Sequence, residues 1–308
     1  MNEPKREPIP TIDSFDRAAF ESYRAQSRPV VLKGAARQWP ATRKWSPEYL
    51  ARTWGDLPVK PSVNLPATEV PYQFRDVNHR REMTLAQFVQ WMDGGDRCYL
   101  DQVRGDELPG LAEDIDFASL GEPDLKGIVF WMGARTRSGL HYDYADNLFA
   151  QIHGTKLAIL AAPENARYLY LFPDSHTKSQ VTPERPDLAK HPQVKHATLI
   201  EATLEPGDVL FIPKGWWHYL ASSDRSISLT CWHGTPLSPG HDLRLLLSIG
   251  GVKTWALLAK DFVWSGILKR PYKRRLYSLP PTGVLLYELV SSVLPGRKKR
   301  TPPPAKPM

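Results

Sequence analysis

His141 and Asp143 stand two residues apart in the run Gly139-Leu140-His141-Tyr142-Asp143-Tyr144. In extended chain, side chains at i and i+2 leave the same face, so an imidazole and a carboxylate can converge on one point. A second histidine, His218, follows Trp216 and Trp217, behind the turn sequence Glu205-Pro206-Gly207-Asp208 and the apolar run 209–212. Two imidazoles and one carboxylate on one side of a divalent metal leave its other positions open, the donor set of a non-haem ferrous centre that handles dioxygen. We therefore read His141, Asp143 and His218 as metal ligands. A His-x-Asp pair alone is common, so its weight depends on the elements that hold it. His153, His176, His191, His196 and His233 lack such a spacing and are expected at the surface or in loops.

Those elements are strands. From Gly127 onward, short apolar runs alternate with turn residues, predicting strands over 128–133, 148–153, 156–161, 197–204, 208–212, 219–222 and 226–232. His153-Gly154-Thr155-Lys156 has the composition of a tight hairpin turn. About seven strands in a hundred residues suit a double-stranded β-helix, the jelly roll of cupins. Pro163 to Tyr170 reads as a short helix and 172–196 as a long loop. Ahead of this block, helices are expected over 16–26, with Ser14 as cap, after Ser46-Pro47, and over 84–92 before Gly94-Gly95. Strands are expected over 28–33, 59–65 and 98–102, and residues 1–11 are expected to be disordered.

Composition narrows the class. With 308 residues, 42% hydrophobic and 24% charged, the chain suits a globular protein with a sizeable core. Two cysteines, Cys98 and Cys231, are too few for a disulfide framework, which favours a reducing compartment. Neither a signal-type apolar region nor a spanning run is evident, so a cytoplasmic location is expected. Residues 251–308 hold twelve Lys/Arg against Asp261 and Glu288, a net of +10 in a chain of net +7. The body is thus slightly acidic and the basic character belongs to the C-terminus. There, 243–249, 254–268 and 284–294 have helical apolar spacing, and 296–308 reads as a disordered basic tail.

The linked motifs resemble the JmjC/cupin-like family of Fe(II)- and 2-oxoglutarate-dependent oxygenases, in the branch containing the asparaginyl hydroxylase of hypoxia-inducible factor. The matching stretches are His141-Tyr142-Asp143, then Asn147 with Phe149-Ala150-Gln151-Ile152, Gly154 and Lys156, then Pro206-Gly207-Asp208-Val209-Leu210, Ile212-Pro213 and Trp216-Trp217-His218. Arg28-Pro29-Val30-Val31 and Trp39-Pro40 match the family's N-terminal part, so the resemblance covers roughly 12–235. It implies a mainly β oxygenase domain with flanking helices over those residues, and the apolar spacing and charge beyond it make 236–295 a helical, basic extension. It also implies that Lys156 pairs with the distal carboxylate of 2-oxoglutarate, that Tyr99 shares that duty, and that Asn147 lies near the cosubstrate. Ser138 stands where a threonine is usual, and Thr230 where that branch has asparagine, so both are looser matches. Fe(II), 2-oxoglutarate and O2 are the implied reactants, and hydroxylation of an unactivated C–H the implied outcome. Demethylation uses the same chemistry, but nothing here resembles a chromatin-reader domain.

The substrate is not written in these motifs. A protein or peptide side chain is expected from the resemblance. A small or membrane-linked molecule, such as a lipid-bound sugar acid, is the alternative, and a non-catalytic cupin binding protein is a third reading. Tyr144, Asp146 and Trp217, next to the ligand positions, are the candidate substrate contacts. The basic, aromatic C-terminus fits either a homodimer through its helices or peripheral contact with an anionic membrane. Nucleic acid is the weaker reading of the same charges, because no recognition motif accompanies them.

Overall fold

The computed structural model describes residues 3–65, 79–122, 127–172, 175–238, 245, 252–271 and 282–293. Its strands, in chain order, are β1 (Lys5–Pro8), β2 (Thr11–Ile12), β3 (Val30–Leu32), β4 (Pro58–Val59), β5 (Met83–Thr84), β6 (Cys98–Arg104), β7 (Ile128–Ala134) and β8 (Asp146–His153). They continue as β9 (Lys156–Ala161), β10 (Leu171–Phe172), β11 (Ser175–Ser179), β12 (Thr198–Leu204), β13 (Val209–Ile212), β14 (Trp217–Ala221) and β15 (Arg225–His233). Seven of them form one sheet in the order β2-β3-β13-β8-β15-β7-β6, and β1-β12-β9-β14 form the other. Phe149, Val31, Leu210 and Ile212 from the first sheet meet Ala158, Leu160 and Leu204 from the second in one buried cluster. Two sheets enclosing such a core make the jelly-roll architecture that the strand spacing led us to expect.

Helices cover the outer face of the larger sheet. α1 (Arg17–Ala25) is capped by Asp16, whose carboxylate accepts from the Ala18 and Ala19 amides; Ser14 is not the cap. α2 (Pro40–Lys44) and α3 (Pro47–Thr53) both begin with proline, and Ser46 caps α3. α4 (Leu85–Asp93) carries a capping box between Thr84 and Gln87 and stops at Gly94. Phe20, Leu50, Leu85 and Phe88 pack onto Leu148, Ala150 and Ile152 of β8. Phe149, between those positions, faces the other way together with Asn147 and Gln151, so β8 is apolar toward the helices and mixed toward the second sheet.

Several further expectations are corrected. The N-terminus is not disordered throughout: β1 lies parallel to β12 from Lys5↔Thr198 to Pro8↔Glu201, and Arg6 donates to the Glu201 carboxylate. The stretch 172–196 is not a plain loop, because β10 and β11 form a hairpin and a 3-10 helix covers Pro192–His196. His176 and His233, expected at the surface or in loops, are instead on β11 and β15 with nearly buried side chains, whereas His191 is in a loop as expected, though buried. The strand expected from 219 begins two residues earlier, at Trp217, and so includes His218.

At the C-terminus α5 (Val252–Asp261) runs into a π-helical turn over Phe262–Ile267, and α6 (Thr282–Val293) packs beside them. The helix expected over 243–249, apart from Leu245, and the tail 296–308 lie outside the described residues. None of the described helices is long and apolar enough to cross a membrane.

Candidate metal centre

Strand parity builds the site. On β14, Trp217, Tyr219 and Ala221 pack into an apolar cluster outside the sandwich, so His218 and Leu220 point inward. On β9 the same rule sends Leu157 and Ile159 outward and Lys156, Ala158 and Leu160 inward. β6 presents Tyr99 and Asp101, β7 presents Trp131, and β15 presents Thr230 and Trp232 to one cavity, while their neighbours Leu100, Phe130, Met132, Leu229 and Cys231 belong to the helix-covered core.

His141 joins His218 through a small antiparallel bridge: the His141 amide donates to the His218 carbonyl (3.1 Å) and the His218 amide returns the bond (2.7 Å). Their rings lie 4.3 Å apart, centroid to centroid. His141 Nδ1 donates to the Gly139 carbonyl at 2.7 Å, and His218 Nδ1 to the Trp216 carbonyl at 3.0 Å. Each ring is thereby fixed with its Nε2 lone pair free. Both Nε2 atoms face Asp143, at 3.8 Å from Oδ1 for His141 and 3.6 Å from Oδ2 for His218. The three donors lie within 4.8 Å of one another, as ligands of one ion would. Burial, with Lys178 and His218 adding to it, pushes His141 well below its usual pKa and keeps its lone pair available. Burial alone would raise the Asp143 carboxyl, but His141, His218, Lys178 and a hydrogen bond from Trp232 Nε1 (3.0 Å) outweigh it and hold it low. The donor set, the tautomers and the groups that orient them fit a divalent metal.

Four of the five residues expected around a cosubstrate are brought to the cavity, and the fifth, Lys156, is not part of its lining but lies against Phe149, which is. Tyr99, Ser138, Asn147 and Thr230 all line the cavity. Tyr99 stacks on Trp131, whose Nε1 donates to Thr230 Oγ1 at 3.0 Å. Ser138 Oγ accepts from the Leu220 amide at 2.9 Å. Asn147 is buried and its Oδ1 has no hydrogen-bond partner. Lys156 is 2% exposed, lies against the Phe149 ring, and has no carboxylate within ion-pairing distance among the described residues. Burial pushes its ammonium down from 10.5 to about 7. An orphaned amide oxygen and an unpaired buried amine signal a polar, anionic ligand.

The three candidate substrate contacts are placed elsewhere. Trp217 sits one position from His218 on the same strand, so it must face the opposite side, and it is 1% exposed against Tyr142. Asp146 Oδ1 accepts from the Lys214 amide at 2.8 Å and holds the turn before β14. The Tyr144 hydroxyl lies 3.4 Å from His176 Nε2, and its ring packs on Tyr142 outside the cavity. The sequence reading missed Trp131, Trp232, Arg137 and Lys178, all in the cavity wall. Parity from the expected strands on 128–133 and 226–232 would have found both tryptophans; no local signal marks Lys178.

Comparison with known proteins agrees with this architecture. The sequence model of the family described as "Cupin-like domain" matches residues 16–238. The chain is 34% identical over 230 residues to lysine-specific demethylase 8 of Xenopus tropicalis, covering 69% of this chain and 49% of that protein. It is 30% identical over 251 residues to tRNA wybutosine-synthesizing protein 5 of Gallus gallus, covering 74% of this chain and 78% of that protein. A Drosophila melanogaster relative named Jumonji C domain-containing protein 5 is 30% identical over 238 residues, covering 72% and 58% respectively. The chain spans about half the length of the frog demethylase. Sheet topology, the His-Asp-His cluster and these matches together show that the chain belongs to the cupin-like, or JmjC, domain family.

Proposed function

We propose that this chain is an Fe(II)- and 2-oxoglutarate-dependent dioxygenase that hydroxylates an unactivated C–H, with a protein or peptide side chain as the leading substrate class. The observation that carries the reading is the convergence of two free Nε2 lone pairs and the Asp143 carboxylate on one wall of a cavity. His141, Asp143 and His218 would hold the metal. Lys156 would pair with the far carboxylate of the cosubstrate, with Tyr99, Ser138, Asn147 and Thr230 around it. When bound, iron and 2-oxoglutarate supply the oxidation, in which dioxygen, ketoacid and C–H become succinate, carbon dioxide and C–OH. The chain's own contribution is positional. The Gly139 and Trp216 carbonyls fix the two imidazoles, Trp232 fixes the carboxylate, and the apolar sandwich keeps solvent from Lys156.

The motif likeness to the asparaginyl hydroxylase branch supports hydroxylation of a protein side chain, and the curated relatives carry names that refer to lysine demethylation and to tRNA. A second reading, a membrane-linked substrate met by a chain peripheral to the membrane, is favoured by one surface. Val263, Trp264, Ile267 and Leu268 are about half exposed and run directly into Lys269 and Arg270.

The oxygenase reading needs no substrate for its test. Fe(II) and 2-oxoglutarate added without oxygen should give the visible charge-transfer band of a chelated ketoacid, lost in His218→Ala and much weakened in Lys156→Ala. Well-folded wild-type protein without the band would leave a non-catalytic binding protein as the better account. Asp143→Ala is expected to lose iron; retention of one iron per chain would remove Asp143 from the ligand set.

A further inference from the structure

The cavity holds more positive charge than the cosubstrate accounts for. Asp101 is engaged by Arg80, with Nη2 at 3.0 and 3.1 Å from its two oxygens. Arg137, in the wall beside Ser138, has its Nε 3.4 Å from Glu184. Asp143 belongs to the metal, and Lys156 to the distal carboxylate of the cosubstrate. Lys178 is left. It lines the cavity, pairs with His141 across an isolated antiparallel bridge, and has no carboxylate within ion-pairing distance among the described residues.

The position of Lys178 is built rather than incidental. The Tyr142 amide donates to the Thr177 carbonyl (3.2 Å) and the Ser179 amide to the Leu140 carbonyl (2.9 Å), which ties β11 to the metal-ligand strand on both sides of Lys178. Ser179 is wholly buried and its hydroxyl donates to the Leu169 carbonyl, while Thr177 is 5% exposed. With those two side chains committed to one face, alternation leaves the other to Lys178. An ammonium fixed in a largely desolvated wall is costly unless an anion meets it, and it repels a substrate that brings its own cation.

We propose that Lys178 receives a carboxylate carried by the substrate, so that the C–H oxidised belongs to an acidic molecule or an acidic side chain rather than to a methyl-lysine or an arginine. This rests on the oxygenase reading for the location of the reacting centre.

The test is binding to the full chain loaded with Mn(II) and saturating 2-oxoglutarate, without oxygen. The probes are N-acetyl-L-aspartate N-methylamide, D-gluconate, the uncharged N-acetyl-L-asparagine N-methylamide and the cationic N-acetyl-L-lysine N-methylamide. Manganese broadens the proton resonances of any probe that enters the cavity. At least one acidic probe should be broadened, with its affinity falling tenfold or more in Lys178→Met and largely kept in Lys178→Arg. Preference for the aspartate derivative would indicate a peptide side chain, and preference for gluconate a small sugar-type acid. Equal broadening of the neutral or cationic probe, an acidic probe indifferent to Lys178→Met, or no probe entering would overturn the proposal. Rescue by arginine separates a charge role from a purely structural one. Failure of the oxygenase reading shows separately, as loss of the ketoacid band from wild-type protein with Fe(II).

Discussion

Lys156 sets the pH behaviour expected of this site. In the unfolded chain a lysine titrates near 10.5, and in the folded chain burial brings Lys156 to about 7. Between those values the unfolded state holds a proton that the folded state lacks, so stability without ligand rises with pH across the window. Below about 7 both states are charged and the burial cost is fully felt, on the order of a few kcal/mol. Lys156→Met should therefore raise the melting temperature of the unliganded protein at pH 6 and have little effect near pH 10. A lower melting temperature at pH 6 would show that the amine already has a partner. Pairing with a carboxylate restores the charge, so 2-oxoglutarate binding at pH 8 should take up close to one proton. Calorimetry in two buffers of different ionisation enthalpy reads this directly, and equal heats in both would count against Lys156 as the carboxylate's partner. Trp232→Phe removes the indole N–H that holds Asp143 and is expected to weaken metal affinity by roughly tenfold, since such outer partners typically contribute 10–100-fold.

At the scale of elements, the hairpin between β8 and β9 couples the two sheets, because β8 lies in the larger sheet and Lys156 opens β9 of the smaller. Gly154 turns this corner at φ 69°, and a Cβ there would lie 2.1 Å from the Arg225 carbonyl oxygen. Gly154→Ala should thus cost about 2 kcal/mol or more, and disturb Lys156 in particular. Unfolding by denaturant measures the cost; a loss below about 0.5 kcal/mol would mean that β15 yields to make room. Helix boundaries were legible in the sequence because caps are local chemistry: Ser46-Pro47, Thr84 with Gln87, and Gly94 all act within one turn. Ser14 was the wrong cap because Asp16, two residues on, offers a carboxylate to the same helix end. β1 and the β10–β11 hairpin were illegible, since polar segments such as Lys5–Pro8 and Ser175–Ser179 carry no apolar alternation and become strands only when a partner edge is supplied.

For the molecule as a whole, apolar exposure marks the C-terminal helices, and Lys269 and Arg270 follow it directly in the chain. Trp264 is 50% exposed and Ile267 and Leu268 are 53% exposed, in a region whose sequence carries a net +10. A basic sequence with exposed aromatic and aliphatic side chains suits either helix packing in a homodimer or contact with an anionic bilayer. We expect the full chain to sediment with vesicles containing phosphatidylglycerol at low salt, and to be released by high salt or by the combined substitution W264E, I267E and L268E. If wild-type protein stays in the supernatant, the membrane contact is withdrawn, and light scattering showing a dimer that the same substitutions dissociate would assign the surface to self-association.

By itself the sequence pointed to His141, Asp143 and His218 as a donor set, to the jelly-roll class, to the positions of most strands, and to Tyr99, Ser138, Asn147 and Thr230, which the fold brings to one cavity. These follow from residue type, short spacing and linked motifs, which act within a few residues or repeat a recognisable order. Tertiary structure alone decided which side of each strand faces the cavity and what stands across it. It turned Trp217 into core, because a strand cannot present neighbours to one face, and made Asp146 the anchor of a turn. It also carried Lys178 from a polar stretch of no evident pattern to the side of His141, a contact set by β11 pairing across the fold. Local rules place a residue on an element; only the pairing of distant edges places it in the site.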